Sequence, residues 1–131
     1  MKKLFIILSL VFFAGNVAEA QKNKKQEIVY EKVDVLPEFV GGIKEMYGYI
    51  GKTLKYPAKA QRANIMGKVF VKMIVEKDGS IKQTSILKGI GFGCDEEVTR
   101  IVKSMPKWTA GIKDGKAVRT SYVLPVEFVL E

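Results

Sequence analysis

The sequence predicts an α+β domain, a two-layer sandwich in which helices cover one face of a small antiparallel sheet. Three observations predict it. Two alternating runs, 68–76 and 81–87, are joined by the tight turn Lys77-Asp78-Gly79. Two further stretches, 43–54 and 95–105, carry apolar residues at helical spacing. A closing run from Val118 to Leu130 alternates again. Strands joined by a tight turn are antiparallel, and an apolar sheet face needs helices to cover it.

The first residues stand apart from this domain. "MKKLFIILSLVFFAGNVAEA" has a basic start at Lys2 and Lys3, an apolar run from Leu4 to Ala14, and a small-x-small end at Ala18-Glu19-Ala20. That order defines a secretory signal peptide, 1–20, with cleavage after Ala20. The apolar run falls well short of the roughly 20 residues of a membrane-spanning helix. Residues 21–36 are expected to form a short tether, within which Val33 and Val35 alternate as the start of a strand would, and 37–131 the domain. The full chain of 131 residues carries a net charge of +8; without Lys2, Lys3 and Glu19 it carries +7. The lysines are scattered among glutamates, which describes a solvated surface. Export removes nucleic acid from the expected partners.

The composition also restricts chemistry. There is no histidine and one cysteine, Cys94. Zinc sites built from those ligands, Ser-His-Asp and Cys-His catalysis, and an internal disulfide are excluded. No glycine-rich loop leads from a strand into a phosphate-binding helix. No catalytic residue, cofactor or metal is expected, and the protein is read as not an enzyme. Cys94 is expected to be a small buried apolar group.

The elements follow in order. "PEFVGG" at 37–42 is a loop. Ile43, Met46, Tyr47, Ile50 and Leu54 lie on one face of a helix, which Gly48 and Gly51 weaken. Tyr56-Pro57 opens a second helix with Pro57 at its first position, where a missing N–H costs nothing. Ala58, Ala60 and Ala63 keep that helix thin, and Gly67 is expected to end it. Val69, Val71, Met73 and Val75 form the apolar face of a strand. The return strand is less regular, which suggests a bulge. Asp95, Glu96 and Glu97 open a third helix with the sign its dipole favours, and Pro106 stops it. Consecutive helical carboxylates splay around the axis, so these three do not converge on an ion. Trp108 is expected over the core, and Asp114-Gly115 in a second turn. Pro125 interrupts the last strand and must face an open edge or a bulge. Val123, two residues before it, is assigned an N–H facing the open side, and Ser121 one facing the sheet.

"YPAKAQRANIMGKVFVKMIVEKDGSIKQTSIL", "DEEVTRIVKSMPKW" and "GKAVRTSYVLPVEF" together resemble the C-terminal domain of TonB, the energy transducer of Gram-negative outer-membrane transport. "PEFVGG" and "GFGCDEE" are similar to the Bacteroidetes-type form. The resemblance covers about 37–130, with Tyr56, Pro57, Gly67, Asp78, Gly79 and Trp108 as its structural motif. It implies that the last strand pairs with the TonB box, a short extended segment of TonB-dependent outer-membrane receptors. Carried over by position, the binding edge is Arg119, Thr120, Ser121, Tyr122, Val123 and Leu124. Backbone hydrogen bonds would then supply affinity and alternate side chains the choice of partner.

This chain departs from a full transducer in several places. Its tether is short and lacks proline. Ala110 stands where a Pro-Gly pair is common, and Thr53-Leu54-Lys55 precede Tyr56 in place of a glutamine. Two expectations therefore stand side by side. One is a TonB-like periplasmic protein in energy-coupled transport, which reaches inner-membrane motor proteins if the leader is retained as an anchor. The other is a soluble periplasmic module that binds peptides or envelope polymers without transducing energy. Unpaired sheet edges also make a homodimer plausible.

Overall fold

The structure, a computed structural model, describes residues 28–131. The expected signal peptide and residues 21–27 of the expected tether lie outside the described residues. At the centre is β1 (Gly67–Val75), flanked by β2 (Ile81–Lys88) and β5 (Thr120–Phe128) in the order β2-β1-β5, both antiparallel to it. β1 takes the middle because Val69, Val71, Met73 and Val75 form a continuous apolar face, and all four are fully buried. Against that face pack α1 (Ile43–Thr53), the short α2 (Ala58–Arg62) and α3 (Cys94–Ser104). α1 contributes Met46 and Ile50, and α3 contributes Val98, Ile101 and Val102; Leu124, Val126 and Phe128 of β5 complete the core. Each such large side chain contributes about 1.5–3 kcal/mol on burial. The architecture is the predicted α+β sandwich.

Local chemistry accounts for the boundaries. Gly79 ends the β1–β2 turn at φ +88°, and its N–H donates to the Glu76 carbonyl at 2.9 Å. Its carbonyl accepts the Trp108 N–H at 2.8 Å. A Cβ on Gly79 would lie 1.9 Å from the Trp108 carbonyl oxygen, so only glycine fits. Asp78 accepts hydrogen bonds from both the N–H and the hydroxyl of Ser80, which tightens the same turn. β2 meets β1 with two register shifts, which confirms the expected irregularity. Cys94 is fully buried, and burial raises its thiol pKa, as does the nearby Asp95.

Four expectations are corrected. Gly67 does not end the second helix. α2 stops at Arg62, where Asn64 adopts φ +53° and the N–H groups of Asn64 and Ile65 return to the carbonyls of Gln61 and Ala60. This is a Schellman closure with asparagine in glycine's usual place. Gly67 instead begins β1, at φ +150°. Pro57 lies one residue earlier than expected, with extended ψ, at the N-cap. The closing run is two strands. β4 (Lys116–Val118) pairs with β3 (Gly111–Lys113) around Asp114-Gly115, and β5 restarts at Thr120. At the break, the Arg119 guanidinium donates to Glu76 at 2.8 Å, and the Thr120 hydroxyl donates to the Val118 carbonyl.

The fourth concerns 28–36, expected as part of a tether. These residues and Glu38 run along the domain through bridges of Tyr30 to Thr120, Val35 to Ile112 and Glu38 to Thr109. Asp34 accepts the Asp114 N–H at 2.9 Å, and the Lys113 ammonium sits 5.8 Å from the centre of the Tyr30 ring.

Candidate functional site

β5 pairs with β1 over nine positions without a shift, from Thr120 opposite Val75 to Phe128 opposite Gly67. Its other side is an edge of the sheet. Tyr30 identifies which backbone groups face that edge: its N–H donates to the Arg119 carbonyl and its carbonyl accepts the Ser121 N–H, both at 2.9 Å. Backbone groups alternate along a strand, so Val123, Pro125 and Glu127 face outward with Ser121. Pro125, which has no N–H to offer, therefore withholds nothing from β1. The sequence assignment for Val123 agrees with this geometry, and that for Ser121 is reversed. Two residues apart on one strand, they must share a direction.

The expected edge residues thus divide. Thr120, Tyr122 and Leu124 turn their backbone to β1 and their side chains towards the helices. Thr120 and Leu124 are buried, and Tyr122 packs on Trp108 with ring centroids 5.1 Å apart. Burial raises the Tyr122 phenol pKa, and neighbouring Tyr47 adds to the shift. Arg119 and Ser121 face outward but are engaged by Tyr30. Beyond Ser121, no backbone among the described residues pairs with this edge. What it offers is the N–H and carbonyl of Val123 and of Glu127, with the carbonyls of Ser121 and Pro125. The available stretch is displaced toward the C-terminus from the one the resemblance implied.

One wall rises beside this edge. Tyr47, Ile50, Gly51 and Leu54 of α1 and its C-terminal end, with Val126 and Glu127 of β5, enclose a groove of about 280 Å³. The wall is held from behind. Glu97 accepts the Lys55 N–H at 2.7 Å and two bonds from Arg100, at 2.8 and 2.7 Å; Arg100 also donates to the Thr53 carbonyl at 3.0 Å. The guanidinium of Arg100 holds the Glu97 carboxyl below its usual pKa. The corner Thr53-Leu54-Lys55 is therefore fixed from both its carbonyl and its N–H side. Tyr56 follows it, donating its hydroxyl to the Ile65 carbonyl across α2 and setting its ring edge-on to Phe128 at 5.4 Å. This is what Tyr-Pro does here: it clamps both ends of a five-residue helix onto the sheet.

Gly79 and Trp108 act at the far end. Trp108 is buried between Phe39 and Tyr122, edge-on to Phe39 at 5.9 Å, and its backbone holds the β1–β2 turn. Asp95 accepts the Ile90 N–H at 2.9 Å, so its carboxylate fastens the loop before α3 as well as facing the helix dipole. Sequence reasoning missed Tyr30, Glu127 and the Tyr47–Gly51 wall. Glu127 had a signal in the same alternation that places Pro125. A single Tyr in a polar segment gave none.

Fold and edge define a class: a two-layer α+β domain whose final strand is left open along most of one side. The family model described as Gram-negative bacterial TonB protein C-terminal matches residues 52–130, and the chain belongs to that family. Its fold is similar to the NMR solution structure of Helicobacter pylori TonB-CTD (residues 194-285), at 20% sequence identity and a TM-score of 0.52. The match covers 67% of this chain and 92% of that one. No curated protein matches the sequence.

Proposed function

We propose that this is a TonB-like periplasmic protein that takes part in energy-coupled outer-membrane transport by adding a receptor segment, the TonB box, as an extra strand on β5. The observation that carries this reading is the outward edge from Val123 to Glu127, uncovered among the described residues and interrupted only by Pro125. In this mode backbone groups bond the incoming strand and no covalent chemistry is needed. Family membership supports the same reading, and the reading assigns the docking groups to Val123, Pro125 and Glu127 with the Ser121 carbonyl.

The test is Val123→Pro. It removes one outward donor in a strand that already accommodates Pro125, so circular dichroism should match wild type. Titration with peptides matching receptor TonB boxes should show binding at least tenfold weaker, as expected for a lost donor and a disturbed strand. A folded variant that binds as well as wild type would eliminate strand addition at this edge.

A further inference from the structure

We propose that the groove between α1 and β5 is a side-chain subsite that takes one leucine- or aromatic-sized apolar residue of the strand added to β5. The inference rests on the strand-addition reading and adds to it the kind of residue the partner must carry. Strands that lie side by side share one pleat, so residues opposite each other point to the same face. Val126 is buried on the helix side of β5, with 2% of its surface exposed. A partner residue beside Val126 would point the same way, and the space it enters is this groove, of which Val126 is one wall. Its two neighbours in the partner would point to the opposite, open face.

The lining matches an apolar occupant. Tyr47, Ile50, Gly51 and Leu54 follow the spacing i, i+3, i+4, i+7, which places them on one face of a helix. Apart from Glu127, every residue around the space is apolar or aromatic or is glycine. The volume of about 280 Å³ lies just below the range of drug-sized ligand pockets, about 300–1,000 Å³, and suits a single side chain. Gly51 widens the entrance. A Cβ there would meet nothing within 4 Å, and its φ is not in the left-handed region, so neither packing nor backbone conformation calls for glycine. The groove is continuous with the open edge, so one extended segment can use both.

The stretch expected to lie between the leader and the described residues does not suit the groove. Residues 21–27, "QKNKKQE", contain no apolar residue. The bridge of Tyr30 to Thr120 is parallel, so Val29 lies on the Arg119 side of it, away from Val126.

The experiment uses the full mature chain and a set of extended seven-residue peptides. Each peptide carries one leucine or phenylalanine, moved stepwise through a threonine-serine host. Affinities are measured for wild type, Gly51→Leu and Val123→Pro. Leucine at position 51 favours the helix and fills the groove, so Gly51→Leu should fold at least as well as wild type. The expected result is one position at which the apolar residue strengthens wild-type binding about tenfold, the worth of one partly buried apolar side chain. Gly51→Leu should lose that gain and bind the other peptides as before. Peptides that bind wild type and fail on Val123→Pro, yet show no positional preference, would overturn the subsite and leave strand addition standing. Equal gain in Gly51→Leu would overturn it too. So would a wild-type dimer that Gly51→Leu splits while anchored peptides bind unchanged, since a second copy would then be the occupant. If no peptide binds wild type, strand addition fails and the subsite with it.

Discussion

β2 meets the central strand with two register shifts that leave Lys82 and Leu87 without opposite numbers, whereas β5 meets the same strand in unbroken register over nine positions. Both are edges of one sheet, and both expose backbone. The difference shows how a small domain can guard one edge against pairing while leaving the other regular and, among the described residues, open beyond Ser121. Bulges twist an edge away from a flat template, and lysine along it resists desolvation; β2 has both. β5 stays regular. It is restricted in other ways: Tyr30 covers its beginning, Pro125 withholds one donor, and α1 stands beside its end.

The largest effect that could break this comparison lies one residue from Val123, the proposed docking donor. Tyr122 turns its N–H to β1. Tyr122→Pro should cost at least about 3 kcal/mol, through the lost ladder bond and the lost packing on Trp108, and unfold the domain. Circular dichroism would show it, in contrast to folded Val123→Pro. A folded Tyr122→Pro protein would mean that the alternation assigned along β5 is wrong.

A smaller effect tests the support behind the groove. The folded carboxyl of Glu97 is held below its unfolded pKa, chiefly by the Arg100 hydrogen bonds. Its stabilisation is therefore present above the unfolded value, near 4.3, and lost as pH falls through the lower folded value. Glu97→Gln should cost about 1 kcal/mol at pH 7, a figure discounted for the half-exposed Arg100 side chain. The gap between denaturant melts of the two proteins should be smaller at about pH 3 than at pH 7, because the stabilisation fades as pH falls from the unfolded value towards the lower folded one. A gap of equal size at both pH values would show that charge is not the cause.

The smallest effect sharpens the contrast from the β2 side. Lys82→Val leaves the bulge in place and removes its charge. Stability should change by no more than about 0.5 kcal/mol, as for most surface substitutions. Sedimentation should nonetheless show concentration-dependent self-association absent from wild type. A variant that stays monomeric would assign the protection of this edge to the bulge alone.

How legible these features were follows from how far each signal extends along the chain. The β1–β2 hairpin was legible because alternation spans both arms and Asp78-Gly79 marks the turn. The helical stripes of α1 and α3 were legible for the same reason. Pro125 announced an open side because a missing donor has few places in a sheet. β3 and β4 were not legible, since three residues cannot display a period. Val118, the last residue of β4, merged with β5 into one apparent strand, although the chain breaks at Arg119, whose guanidinium donates to Glu76. The end of α2 was misplaced because Gly67 is a stronger local signal than Asn64, although Asn64 closes the helix. Of the proposed docking edge, the strand was legible and the open stretch was not. That stretch depends on Tyr30, far away in sequence and marked by no pattern.

The hold of Tyr30 on β5 has a mechanical consequence. A pull on the chain before Tyr30, opposed by a strand docked beyond Ser121, would load β5 along its axis. Tyr30 is held by two backbone bonds, and the bridges at Val35 and Glu38 lie behind it in series. The arm would therefore give way first, one attachment at a time, like a fuse protecting the sheet. Releasing 30–34 would lengthen the tether by roughly 3.3–3.6 Å per residue. The same release would free the Arg119 carbonyl and the Ser121 N–H, so tension that loosens the arm would lengthen the edge available to grip the docked strand.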